Sequence, residues 1–361
     1  MGEGLKKEDS AALKGIAVLM LVFHHCYRAE KKFAGHDVLF APFSAEKVIE
    51  AALYMKICVC IFAFVSGFGL MYGYMKMRGE GSPVSFVKKH LLSTCSGYWF
   101  LVPFAYLLYG LRHGFSYAKW GDTLWERAAG ILADALGLSE LVGAKSVNGA
   151  WWYMCAAITF IVLLPFLAEI TLRWGGLACA GLVFLLPRIL GIEFQGGRAP
   201  LSFLMVMVFG MLCCKYNVFS RFHEWKPLGN GALGGIWKFT GTALLAAFGY
   251  VSYRRIPFTF CWEYNFAAIP FFFILFCVEY VFRWKLLKRF LGFWGRHSLN
   301  IWLVHTFVRD YLSTYVWSVR YFLLVPCVIL GISLLVSLLV NFLKKYSGYD
   351  AWIKRRIREC G

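Results

Sequence analysis

Charge is scarce in this chain. Asp, Glu, Lys and Arg together make up 16% of its 361 residues, whereas a soluble domain carries about a quarter, so a water-clothed globule is excluded. Acidic residues are the scarcest, 20 against 38 Lys and Arg. The twelve cysteines contain no Cys-x-x-Cys pair, which removes the usual zinc and dithiol spacings; Cys58-x-Cys60 stands alone, and no metal site is expected. No Walker or dinucleotide glycine motif occurs, so phosphate-cradling loops of those kinds are absent. No repeat or low-complexity tract divides the chain. Nothing like an A-x-A cleavage site follows the first apolar run, and that run is expected to stay in the mature protein.

What the chain has in excess is apolar length. Hydrophobic residues make up 60%, aromatics 19%, and the mean hydropathy is +0.60. A bilayer is crossed by runs of about 17–25 apolar residues, and ten transmembrane helices are expected: Ala11–Ala29, Val48–Tyr74, Leu91–Leu111, Ala150–Ile170, Trp174–Leu190, Pro200–Cys214, Gly231–Tyr250, Asn265–Phe282, His297–Trp317 and Tyr321–Leu343. Leu124–Leu138 is interrupted by Glu126, Arg127 and Asp134, which predicts an amphipathic helix lying in the interface. The expected fold is all-α, a polytopic membrane protein. Residues 11–343 form one transmembrane domain, 1–10 a short leading segment, and 344–361 a basic tail too short for a further soluble domain. Most cysteines fall in the apolar runs, where thiols pack as small hydrophobes.

Charge asymmetry orients the spans. With the N-terminus in the cytoplasm, 21 Lys and Arg lie on that side and 13 on the other. The positive-inside rule therefore favours two cytoplasmic termini and an even number of spans. The net charge of +18 is dispersed over loops, which argues against nucleic-acid binding. Lys354-Arg355-Arg356-Ile357-Arg358 suits anionic lipid headgroups instead.

Ionisable side chains inside a span are costly and mark function. The first run contains Lys14, His24 and His25. Eleven residues are about 3.1 helical turns, so Lys14 and His25 point to nearly the same side about 16 Å apart, while His24 is turned about 100° away. Lys56 lies in the second run at the depth of His25. His305 and Arg309 are spaced i,i+4 and share a face of the ninth run, with Asp310 adjacent; they line a common cavity or form ion pairs between spans. Lys238 reads as a snorkelling or helix-pairing residue, and Ser66-Gly67 as a close helix contact. Trp151, Trp152 and Tyr153 stand at the outer interface, either as an aromatic belt or facing a substrate.

Five segments, in order, resemble the acyltransferase-3 family of integral membrane acyltransferases. Leu13-Lys14-Gly15-Ile16-Ala17 followed by His24-His25 is similar to its opening signature, a basic residue, ten residues and a histidine. Phe62-Ala63-Phe64-Val65-Ser66-Gly67-Phe68, Lys88-Lys89-His90 with Pro103, Asn148-Gly149-Ala150-Trp151-Trp152-Tyr153 with Pro165, and Ser298-Leu299-Asn300-Ile301-Trp302-Leu303-Val304-His305 are similar to later motifs. The resemblance runs from Leu13 to about Leu343. Two positions depart from it. The usual first-helix arginine is Lys14, which keeps the charge and loses the planar fork, and His90-Leu91-Leu92-Ser93-Thr94-Cys95 stands where the family often has arginines.

The resemblance implies an O-acyltransferase, in the simplest case an O-acetyltransferase, of the plasma or inner membrane. Acyl-CoA is its co-substrate, and no tightly bound cofactor is expected. His25 is the implied catalytic histidine, and His24 beside it reads as a helper or a packing residue. Lys14 would hold the anionic end of a cytoplasmic acyl-CoA, and Lys56 would stabilise a developing oxyanion. The acceptor would be a hydroxyl of an envelope or exported glycan or glycolipid, reached directly or through a separate extracytoplasmic transferase. The same intramembrane His, Lys and Arg residues also suit a proton-coupled transporter or exporter, although no inverted repeat supports one.

Overall fold

The structure, a computed structural model, describes residues 4–191, 200–229, 231–255 and 262–360. Among them the regular elements are helices, and extended pairing is limited to two isolated bridges. In chain order they are α1 (Lys7–Tyr27), α2 (Ala45–Tyr54), α3 (Ile57–Met77), α4 (Pro83–Arg112), α5 (Leu124–Ala135), α6 (Trp152–Trp174), α7 (Gly176–Ile189) and α8 (Leu204–Lys215). They continue with α9 (Val218–Glu224), α10 (Ala232–Arg255), α11 (Trp262–Glu279), α12 (Lys285–Tyr311), α13 (Ser313–Trp317), α14 (Leu324–Tyr346) and α15 (Tyr349–Glu359).

The ten apolar runs coincide with helical structure, although Val48–Tyr74 is divided between α2 and α3. Among the described residues, five helical segments are long and apolar enough to cross a membrane: α1, the α2–α3 stretch, α4, α6 and α14. Pro200–Lys215 and α9, bent by 57°, make a sixth if they count as one span, and α7 is apolar but only 14 residues long. Outward faces are apolar too, with Phe104, Leu107 and Leu111 on α4 and Leu335, Leu339 and Phe342 on α14 all exposed. Such faces suit hydrocarbon as solvent, where helices satisfy their own backbone groups. The protein is an all-helical membrane protein. Its described cysteines are all free, most of them buried, with Cys327 exposed.

Glycines set the central crossings. α1 and α12 run side by side in the same direction: Asp9 meets Lys288 (2.5 Å), and Arg309 meets the His25 carbonyl near the other end. Between these contacts a Cβ on Gly15 would lie 1.9 Å from the Leu291 carbonyl oxygen, and one on Gly295 would lie 1.8 Å from that of Ala11. Only hydrogen fits at either place. α3 and α8 cross the same way, with a Gly67 Cβ 2.0 Å from Met207 O and a Gly210 Cβ 2.1 Å from Phe64 O. Close backbone approach through small residues is how helices pack where water supplies no drive between them. Gly67 of the Ser66-Gly67 pair is thus a close helix contact, whereas Ser66 faces the cavity described below.

α14 returns antiparallel to α12 through the short α13 turn, so the start of α1 and the end of α14 share one end of the bundle. At the opposite end the 28–44 loop folds back. Leu39 bridges to the 320–322 segment (Leu39 N to Arg320 O 2.8 Å, Phe322 N to Leu39 O 3.1 Å), and the Tyr27 hydroxyl donates to Phe322 O at 2.8 Å. α5 is a capped helix, with Glu126 N donating to Thr123 Oγ1 and Thr123 N to Glu126 Oε2, each at 3.2 Å. Leu124, Trp125 and Leu132 on it are exposed. Its Asp134 is buried and accepts from Val147 N–H (2.6 Å) and the Tyr106 hydroxyl (2.8 Å), tying α5 to the segment before α6. Burial pushes the Asp134 carboxyl above its ordinary pKa.

Candidate active site

A cavity of about 540 Å³ opens between α1, α3, α4, α6 and α12. Lys14, Thr94 and Ser298 line it toward the start of α1. His24, His25, Tyr153, Arg28, Lys32, Lys56, Arg309 and Asp310 line it toward the end of α1. Helical rise separates Lys14 from Arg28 by about 21 Å, so the cavity follows α1 for most of its length. Lys14 and His25 therefore share a wall, as their spacing predicts. Lys14 has no hydrogen bond or ion pair among the described residues; a cation at this depth without a partner is costly.

His24 owes its setting to an irregularity in the second span. α2 and α3 are separated at Met55–Lys56, where Lys56 N–H turns back to Leu53 O (3.2 Å) and Met55 N–H bonds Ala51 O (3.1 Å). The Ala52 carbonyl is left for His24 Nδ1 at 2.7 Å. A carbonyl only accepts, so Nδ1 carries the proton and Nε2 is the bare nitrogen. The same break brings Lys56 to the cavity. The two histidine rings lie edge to face at 5.3 Å. The turn of about 100° between them does not separate their sites, because the cavity wraps around the end of α1 and both line it.

His25 is held from behind by α12. Arg309 donates from Nη1 to the His25 carbonyl (2.7 Å), and its Nε and Nη2 grip the Asp310 carboxylate at 2.6 and 2.9 Å. The His305 ring stands edge to face against His25 with 4.9 Å between centroids. His305 is almost wholly buried and lies behind His25, outside the cavity lining, whereas Arg309 and Asp310 line it. The i,i+4 pair is thus split between wall and backing.

The segment before α6 forms the facing wall. Asn148 accepts at Oδ1 from Ala150 N–H (2.9 Å) and the Thr306 hydroxyl (2.8 Å), and its Nδ2 donates to Leu303 O at 3.3 Å. Trp302 Nε1 donates to Ala150 O at 3.1 Å. Trp151 is 2% exposed and donates to Leu303 O at 3.0 Å. It belongs to no interfacial belt, because its N–H is consumed inside the bundle. Trp152 and Tyr153 do line the cavity. Gly149 lines it as well, is exposed, and has nothing within 4 Å of a built Cβ.

Arg28 and Lys32 join the site although composition counted them only as loop charge; the loop's return to the 320–322 segment brings them in. Burial, with Arg309 and Arg28 nearby, lowers the Lys32 ammonium below its ordinary pKa. Lys238 lies elsewhere, pairing α10 with α11 through Glu279 (3.4 Å) and donating to His223 O (3.0 Å). Ser66 reaches the cavity wall below Phe62.

The cavity thus combines several cationic side chains with two imidazoles, of which the His24 ring is fixed by the Ala52 carbonyl. The acyltransferase-3 family model, described as an acyltransferase domain, matches residues 10–342, and the chain belongs to that family of membrane acyltransferases. No curated protein and no solved structure matches the chain. Nothing in this membership favours the transporter alternative.

Proposed function

We propose that the protein is an O-acyltransferase that takes an acyl group, in the simplest case acetyl, from cytoplasmic acyl-CoA. It transfers the group to a hydroxyl of an envelope or exported glycan or glycolipid. The observation that carries this reading is Lys14, a cation in α1 with no partner among the described residues, sharing one cavity with His25 three turns away. A long anionic donor laid along α1 would end its phosphates near Lys14 and bring its thioester to His25. Ten helices cross the plasma or inner membrane in this reading, with both termini in the cytoplasm. The shared end of α1 and α14 also holds the basic residues of the 283–289 segment and α15, which fits the positive-inside rule. The tail would rest on anionic lipid.

The chemistry follows from the residues. A bare ring nitrogen of His25 takes the proton of the acceptor hydroxyl as its oxygen attacks the thioester carbonyl. Lys56 favours the tetrahedral oxyanion. As the C–S bond breaks, the imidazolium returns its proton to the departing CoA sulfur, and the ester leaves on the acceptor. His24, with Nδ1 fixed on Ala52 O, presents its other nitrogen beside this centre. Trp152 and Tyr153 offer aromatic surface to a sugar. A separate extracytoplasmic transferase would receive the group where the final acceptor cannot reach the cavity.

The test is purified protein with labelled acetyl-CoA, followed for thioester hydrolysis and label transfer, wild type against His25→Ala. Loss of turnover by about 10²–10⁴-fold is expected. An inactive wild type, or a mutant that turns over unchanged, would overturn the proposal.

A further inference from the structure

His25 has two sides, and only one of them faces the cavity. On the other stands His305, whose bonding settles its own tautomer. His305 Nδ1 lies 2.8 Å from Trp302 O and 3.2 Å from Ile301 O. Both are carbonyls of its own helix, which can only accept, so Nδ1 carries the proton and a neutral ring leaves Nε2 bare. Nε2 is fully buried and has no hydrogen-bond partner among the described residues. His305 itself is 1% exposed, and a buried acceptor left alone is costly. The ring facing it at 4.9 Å is His25, which has a nitrogen proton to give whenever it is neutral.

From this juxtaposition we propose that His305 is the positioning residue of His25: its Nε2 accepts the N–H of His25, leaving the other His25 nitrogen bare toward the cavity. The inference rests on His25 being the base of the reaction. The proposed contact requires the His25 ring to turn about its χ2, and the two rings already stand edge to face with 4.9 Å between centroids. One turn of α12 then fixes the base twice. Arg309 holds its main chain through the carbonyl at 2.7 Å, with Asp310 steadying the guanidinium, and His305 holds its ring. A base oriented by a third group is the general logic of activated catalytic pairs, and here the third group is a neutral imidazole anchored to its own helix backbone. During turnover His25 gains and returns a proton at its cavity-side nitrogen, while the N–H shared with His305 stays in place. His305 exchanges no proton and touches no substrate.

Two variants separate this role from packing. His305→Leu keeps bulk and removes the acceptor, whereas His305→Gln keeps an acceptor oxygen. With labelled acetyl-CoA and the full-length protein in detergent, His305→Leu is expected to lower kcat by about 10–100-fold, the usual effect of removing such an outer partner. KM for acetyl-CoA should stay within about threefold, since Lys14 is untouched. His305→Gln should recover most of the lost kcat at a similar unfolding midpoint. The inference fails if His305→Leu keeps wild-type kcat, if only KM moves, or if Gln and Leu are equally impaired while both remain folded. An active His25→Ala would instead remove the parent reading. Should His305→Leu not fold, ring-nitrogen shifts of wild-type protein labelled at histidine decide the matter, with the His305 signals identified by their absence in His305→Gln. A hydrogen-bonded Nε2 acceptor supports the proposal, and a non-bonded Nε2 overturns it.

Discussion

Replacing Gly15 by alanine sets a methyl group against a wall that cannot yield. The new Cβ would stand 1.9 Å from the Leu291 carbonyl oxygen, 2.7 Å from its carbon and 3.2 Å from Gly295 N. Ordinary contact begins near 3.4 Å, so α1 and α12 must part by about 1.5 Å. Every one of these atoms is backbone, and no rotamer relieves the clash. Overpacking costs about 1–3 kcal/mol, and a main-chain clash belongs at the upper end, about 3 kcal/mol. Alanine returns at most about 1 kcal/mol of helix propensity, leaving a net loss of about 2 kcal/mol. Gly69 in α3 is the matched control, because nothing lies within 4 Å of its built Cβ; Gly69→Ala should gain up to about 1 kcal/mol. The two substitutions are chemically identical and should move the unfolding midpoint in opposite directions. Activity should follow, since His25 takes its backbone and ring supports from α12. A displacement near 1 Å at a reacting centre can cost about 10²-fold, so Gly15→Ala should lose roughly that in acetyl-CoA turnover at a temperature where it stays folded. Thermal unfolding in detergent and single-substrate kinetics measure both effects. If Gly15→Ala proved as stable and active as Gly69→Ala, the close crossing of α1 and α12 at Gly15 would be refuted.

Other expectations concern the cavity directly. Lys14→Ala should raise KM for acyl-CoA by about tenfold or more with a smaller change in kcat, and Lys14→Arg should keep most of the affinity; equal KM for wild type and Lys14→Ala would show that no anion rests there. Gly149→Ala should leave the unfolding midpoint unchanged, because its Cβ meets nothing in the protein, yet weaken acceptor use by intruding on the cavity. A change in stability without a change in acceptor kinetics would contradict that assignment. Asp134→Ala should destabilise by about 3 kcal/mol, as it strands Val147 N–H and the Tyr106 hydroxyl. Asp134→Asn, which retains an acceptor oxygen, should cost less in the same unfolding assay.

The helices were legible because apolar runs are long and the bilayer sets their length. Lys14 and His25 were legible as partners because helical phase depends only on spacing, and the structure has them on one wall. Three features could not be read that way. His24 reaches the same cavity because the second span breaks at Met55–Lys56, and no proline or glycine there announces the break. Trp151 looked interfacial by its place at a span end, yet its indole N–H finds Leu303 O, a contact 152 residues away in sequence. Arg28 and Lys32 read as loop charge because their place in the site depends on a bridge between Leu39 and the 320–322 segment. In each case a long-range main-chain contact decides the outcome, and periodicity carries no information about it. Asn148 was within reach, since it stood in a motif already quoted, but its bonds to Ala150, Leu303 and Thr306 needed α12 beside it.

The break between α2 and α3 has a consequence for how such a site can be found by mutagenesis. The partner of His24 is the carbonyl of Ala52, the partner of His305 is the carbonyl of Trp302, and Arg309 grips the carbonyl of His25. Every amino acid carries that oxygen. A scan that swaps side chains one at a time would register the histidines and the arginine while passing silently over the groups that hold them, because Ala52→Ser or Ile301→Val leaves those oxygens in place. Changes that act on the chain path itself, such as a one-residue insertion near Lys56 or an amide-to-ester replacement, are the ones that would expose this hidden half of the machinery.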